Sequence, residues 1–157
     1  MEILRIPINP NPGEYPFVDL KKLLILDIET TGLSSKFNWI YLVGLAYYDT
    51  VSKEWFIEQL FAENSSEEKD ILLALLPYLT ARSLVVTYNG DTFDIPFIKT
   101  RMDKNGISMP KIESLDLYKL LKNSSIFFNF PNLKLKTVEE SLGIFREDQY
   151  SGKECID

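Results

Sequence analysis

The chain contains no histidine, and its single cysteine is Cys155. Without imidazole, a Ser-His-Asp or Cys-His nucleophile system, a histidine general base and a histidine zinc site are all excluded. Acid–base chemistry must then come from carboxylate, lysine, tyrosine or metal-bound water. One thiol cannot build an internal disulfide framework, which fits a reducing compartment. Basic residues are also in deficit: 17 Lys and Arg against 23 Asp and Glu leave a formal net charge of -6. That balance argues against indiscriminate binding along a duplex by a basic surface. It leaves room for a nucleic acid in an acidic cleft, because a bound cation reverses the local field. No apolar run approaches the roughly 20 residues of a membrane span, and Met1-Glu2-Ile3 does not open a signal peptide. The expectation is a soluble, cytoplasmic protein.

The 157 residues suit one domain with enough apolar content for a core. Residues 1–20 carry Pro7, Pro10, Pro12, Pro16 and Gly13, and read as an N-terminal arm, leaving 21–157 as the domain. Strands are expected at 23–28, 40–48 and 54–61, the last two forming a hairpin. Ser65 or Ser66 with Glu67 and Glu68 reads as a helix start, followed by Ile71, Leu72, Leu75 and Leu79 on one face and Pro77 in the last turn. Residues 83–88 predict a strand buried on both faces, 94–104 a helix stopped by Asn105-Gly106, and 112–115 a fifth strand. A last helix is expected within 132–142, closed by Gly143. This order predicts an α/β fold, a mixed five-stranded sheet flanked by helices.

Two short acidic stretches fall at strand ends. In Leu26-Asp27-Ile28-Glu29-Thr30-Thr31-Gly32, the two carboxylates are two residues apart and share one face of a strand. Such neighbours repel unless a cation lies between them, so Asp27 and Glu29 read as half of a divalent-metal cage. The plainer alternative is a buried strand running out into a polar turn. In Tyr88-Asn89-Gly90-Asp91-Thr92-Phe93-Asp94, Asp94 opens a helix and is either a third wall of the cage or a helix cap. Asp91 or Thr92 would serve as that cap equally well.

Asp27-Ile28-Glu29-Thr30-Thr31-Gly32 and Asn89-Gly90-Asp91-Thr92-Phe93-Asp94 resemble the first and second motifs of the DEDD exonucleases. Residues 88–101 are similar to the exonuclease domain of family B DNA polymerases, as is Leu115-Asp116-Leu117-Tyr118. Over 27–152, including Leu133 to Gly143 and Arg146 to Gly152, the chain most resembles the bacterial YprB family of ribonuclease H-like proteins. The resemblance implies a ribonuclease H-like fold, two divalent ions (Mg²⁺ or Mn²⁺) and 3′-to-5′ hydrolysis of a single-stranded DNA or RNA end. Asp27, Glu29 and Asp94 would be catalytic metal ligands. Thr30, Thr31, Leu33, Asn89, Phe93 and Lys136 would meet the substrate, with a helicase or other nucleic-acid-processing protein as partner. Each carries a plainer alternative: core packing for Phe93, a turn staple for Leu33, and a solvated lysine for Lys136, with Lys134 competing for its role. Asp116 would be a second acid near the site or, more simply, an N-cap for the helix beginning at Leu117.

The family pattern also asks for a fourth acid, preceded four residues earlier by tyrosine or histidine. The one match is Tyr150-Ser151-Gly152-Lys153-Glu154, where glutamate replaces aspartate and Ser-Gly makes a poor helix interior. It is rejected as the third motif. The expectation is a domain lacking its last helix, either part of an active nuclease or a binding module of the same fold that has lost catalysis.

Overall fold

A computed structural model describes residues 1–9 and 19–145. Its elements in chain order are β1 (Glu2–Ile8), β2 (Leu23–Thr30), β3 (Ile40–Asp49), β4 (Glu54–Phe61), α1 (Glu68–Ala81), β5 (Leu84–Thr87), α2 (Asp94–Lys104), β6 (Glu113–Asp116), α3 (Leu117–Asn123) and α4 (Leu135–Ser141). Short 3-10 turns occur at 20–22, 65–67 and 125–127. The strands form one sheet of order β1-β4-β3-β2-β5-β6. From β1 to β2 the neighbours are antiparallel, whereas β5 and β6 run parallel to β2. β2 therefore stands at the change from hairpin pairing to helix-connected crossover, the place where open α/β sheets leave a crevice at their strand ends.

The sheet has six strands where five were expected, and the extra one lies in the stretch read as an arm. Glu2–Ile8 pairs along its whole length with β4. Pro7 obscured it. An edge strand tolerates a residue with no N–H to give the ladder, so the proline is no bar to pairing there. Residues 10–18, with the other three prolines, are outside the described set, as are Arg146 to Gly152, the Tyr150–Glu154 pair and Cys155.

Helix α1 keeps the expected face: Ile71, Leu72, Leu75 and Leu79 are all buried. Its start differs slightly. Asn64 is the capping side chain, accepting the Ser66 N–H at 3.1 Å, and the helix proper begins only at Glu68. These side chains join Leu24, Leu26 and Ile28 of β2, Val43 and Leu45 of β3, and Phe97, Ile98 and Met102 of α2 in one core. Alternation along β2 puts Asp27 and Glu29 on the other face, away from that core. Among the described residues, no helix is long and apolar enough to cross a membrane.

Candidate active site

The site forms where β2 outruns its parallel neighbour. Pairing of β2 with β5 stops at Ile25 opposite Val86. Beyond that point β5 enters the turn at Asn89, and the backbone of β2 on this side has no strand to bond. The Ile28 N–H is instead donated to Oδ1 of Asp94, at 3.1 Å. Asp94 is the first residue of α2, where its carboxyl also meets its own backbone N–H, and the N-cap position is Phe93, which makes no side-chain cap bond. Its carboxylate crosses to the first motif.

The same Ile28 amide, next in sequence to Asp27, also favours the charged form of that carboxyl, and Asp27 lies close enough for its charge to act on Asp94. Burial raises the pKa of Asp94 to about 6, and the charge of Asp27 adds to the rise. Asp27 itself is raised by lost hydration, although one side of it stays open to solvent. Glu29 is raised by burial first and by Asp27 second. None of the ion pairs among the described residues involves these three acids. The charge of Asp27 repels those of Glu29 and Asp94, and no lysine or arginine among the described residues pairs with them.

As placed, no three acidic side chains among the described residues form a group that would hold one metal ion. The three-sided cage expected from the motifs is therefore present as a converged pair, Asp27 and Asp94, with Glu29 beside Asp27. The chemistry of the donors still fits a hard divalent cation: all are carboxylate oxygens, and all are held above their usual pKa by burial.

The turns around the pair are tightly specified. At the end of β2 the register shifts between Glu29 and Thr30, and the Thr30 hydroxyl donates to the Gly32 carbonyl at 2.9 Å. Thr31 accepts the Trp39 N–H on its hydroxyl and donates its own N–H to the Trp39 carbonyl. Both threonine side chains thus hold the turn. Leu33 projects from it, 88 % exposed, and Phe37, which the motifs did not single out, stands beside it in the same loop at 86 %.

In the second motif, Asn89 takes a left-handed φ of 66°. Its side-chain oxygen accepts from Thr92 and its N–H is donated to Asp116. Gly90 serves another purpose: a Cβ there would lie 2.5 Å from the Cβ of Thr87, so only glycine lets the turn fold back on β5. Phe93 is half-buried, its ring tilted against Phe97 at 5.4 Å on the edge of the core. Lys136 lies on the exposed side of α4.

Two supporting groups stand behind the site, one expected as a cap and one not singled out by the motifs. Asp116 does cap α3, accepting from Tyr118 and Lys119, but it also accepts the N–H groups of Asn89 and Asp91. One buried carboxylate thereby fixes the turn that delivers Asp94. The second group is the buried pair Glu68–Arg101, whose carboxylate also accepts the Ile40 N–H while Arg101 reaches the Ser35 carbonyl. An arginine between Ile98 and Met102 on an apolar helix face was the available signal.

The six-stranded mixed sheet with its flanking helices defines a ribonuclease H-like domain. The family model described as RNase_H superfamily matches residues 24–157, and the chain belongs to that superfamily. It is 33 % identical over 136 residues to the uncharacterized protein YprB of Bacillus subtilis, covering 83 % of this chain and 32 % of that protein. A Pyrococcus glycovorans DNA polymerase is 29 % identical over 96 residues, covering 57 % of this chain and 12 % of the polymerase. The chain thus spans about a third of the first relative and much less of the second. Among solved structures, the E. coli exonuclease I complex with a 5cy-dA13 oligonucleotide superposes with a TM-score of 0.67 at 13 % identity, over 78 % of this chain and 36 % of that one. The family B DNA polymerase of Pyrobaculum calidifontis superposes with a TM-score of 0.60 at 16 % identity, over 79 % of this chain and 18 % of the polymerase. At such identities the likeness is one of fold.

Proposed function

We propose that the chain is a metal-dependent 3′-to-5′ exonuclease domain acting on single-stranded nucleic-acid ends. The observation that carries this reading is the bond from the Ile28 N–H of the first motif to Asp94 of the second, which brings Asp94 within reach of the Asp27 charge. Asp27 and Asp94 would hold Mg²⁺ or Mn²⁺, with Glu29 completing the oxygen donors. When bound, such ions supply activation of water and stabilisation of charge on the leaving oxygen. The chain's own residues do the positioning. Leu33 and Phe37 offer exposed apolar surface to a terminal base. Asn89, with its oxygen committed to Thr92, has its amide nitrogen to donate toward the strand end. Phe93 presents only the part of its ring not packed on Phe97. The oligonucleotide in the exonuclease I complex supports a single strand as the substrate class.

A binding module without catalysis is the second reading, favoured by the failure of any three described acids to form a metal-holding group. End-labelled single strands separate the two. With 5′-labelled DNA and RNA and added Mn²⁺, a ladder that Asp27→Ala and Asp94→Ala abolish supports the nuclease. Retention of the strand without laddering supports the module, and neither binding nor laddering sinks both.

A further inference from the structure

Residues 117–138 contain Lys119, Lys122, Lys134 and Lys136 and no acidic side chain, in a chain whose net charge is -6. The same stretch holds Tyr118, Phe127, Phe128 and Phe130. It comprises α3, the turn at 125–127 and the start of α4. Val138 at its end is buried, but the apolar residues at its middle are not packed away: Ile126 is 87 % exposed and Phe127 83 %. Phe128 and Phe130 stack face to face, with centroids 5.4 Å apart and planes 4° from parallel. A run of exposed aromatics with interleaved lysines is the pattern of surfaces that stack bases while tracking phosphates.

The stretch is fastened to the candidate site at both ends. The Tyr88 hydroxyl donates to the Leu133 carbonyl at 2.8 Å, and Lys119 pairs with Asp91 at 2.7 Å. Tyr88 and Tyr118 meet edge to face. Both anchors lie in the turn between β5 and α2 that delivers Asp94. We propose that residues 117–138 form a platform for the single strand behind its terminal nucleotide. Phe127 and the Phe128–Phe130 stack receive bases, and Lys122 and Lys134 attend the phosphates. The choice of a polyanion over a protein partner rests on charge: the stretch brings four lysines and no acid of its own to an acidic chain, and although Lys119 is taken by Asp91, the exposed Lys122 and Lys134 complement phosphates, whereas burial of aromatics in a protein interface needs no lysines. The placement of the strand end rests on the nuclease reading above; the binding itself does not.

The test is fluorescence polarisation of the 157-residue chain in EDTA, with twenty-nucleotide and four-nucleotide thymidine and uridine strands. Phe127→Ala is expected to weaken binding of the long strand roughly tenfold and leave the short one unchanged. Lys122→Glu combined with Lys134→Glu is expected to flatten the dependence of log affinity on log salt by about 0.7 for each phosphate no longer neutralised. Phe127 and both lysines are exposed, so both variants should keep the wild-type melting temperature. Wild-type failure to bind either long strand overturns the platform. So does an unchanged long-strand affinity in these variants, including a case where Phe127→Ala alters only self-association. Long-strand binding sensitive to Phe127, in a chain that makes no ladder with Mn²⁺, upholds the platform and sinks the nuclease. Laddering with binding insensitive to Phe127 does the reverse.

Discussion

Oδ1 of Asp94 accepts the Ile28 N–H at 3.1 Å, so the second acidic motif is bonded to the backbone of the first. Removing the carboxyl and replacing it with an amide should therefore differ. Asp94→Ala takes that acceptor away and leaves the buried Ile28 N–H only the neighbouring Asp27 carboxyl, at a cost of about 1 kcal/mol. Asp94→Asn keeps an acceptor oxygen there. Urea denaturation should show Asp94→Ala less stable than Asp94→Asn, since both lose the buried charge and only the amide keeps the bond, while both lose Mn²⁺-dependent laddering. Equal stability of the two variants would remove the structural role assigned to that bond.

The raised pKa of Asp94 has a sign that stability measurements can read. An acid whose folded pKa is about 6, against an unfolded value of 3.8, binds its proton more tightly when folded. Below 3.8 both states are protonated and the group contributes nothing. Between about 4 and 6 the unfolded state ionises first, so folding stability falls as pH rises, and above that the full penalty remains. Metal-free protein should accordingly lose stability across this window. Asp94→Asn should abolish that part of the loss and raise the metal-free melting temperature at pH 7.5 by a few degrees, for about 1–2 kcal/mol. Mn²⁺ should raise the wild-type melting temperature and barely move the variant's. A flat melting temperature for wild type between pH 4 and 7 would contradict the sign.

Asp116 touches neither Asp27 nor Glu29, yet its four accepted N–H groups join the Asn89–Asp91 turn to the start of α3. Asp116→Ala should cost about 2–4 kcal/mol by orphaning both sets of amides. Because that turn carries Asp94, laddering should fall as well, and a short-strand substrate should show the fall in kcat more than in KM. An unchanged urea midpoint would mean that the amides find water instead.

Much of this was legible in local pattern. The hairpin of β3 and β4, the buried face of α1, and the span of α2 follow from alternation, helical periodicity and the Asn105-Gly106 stop. The two acidic motifs were visible as motifs, and Asp116 as a cap. What stayed hidden depends on long-range pairing. Glu2–Ile8 is a strand only because β4 offers it an edge, and its own Pro7 argued otherwise. Asp94 looked equally like a cap, since nothing local says that β5 turns away after Val86 and leaves the Ile28 N–H unpaired. Glu68 read as an ordinary first-turn acid because its partner is 33 residues away.

That partner, Arg101, gives the last prediction. Its guanidinium makes two bonds to Glu68, at 2.8 and 2.5 Å, and a third to the Ser35 carbonyl at 3.1 Å. Glu68 in turn accepts the Ile40 N–H at 2.9 Å. The pair thus ties α1, α2 and the start of β3 to the loop that displays Leu33 and Phe37. Arg101→Met preserves much of the buried stem but leaves the Glu68 carboxylate buried and without its cation, which should cost about 3–5 kcal/mol. Glu68→Gln with Arg101→Met removes both charges and should recover much of that loss. The bond to Ser35 is absent from both variants. If it positions the loop, the double variant should regain stability yet still process single strands more slowly than wild type. Full recovery of both stability and laddering would show that Arg101 serves the core alone.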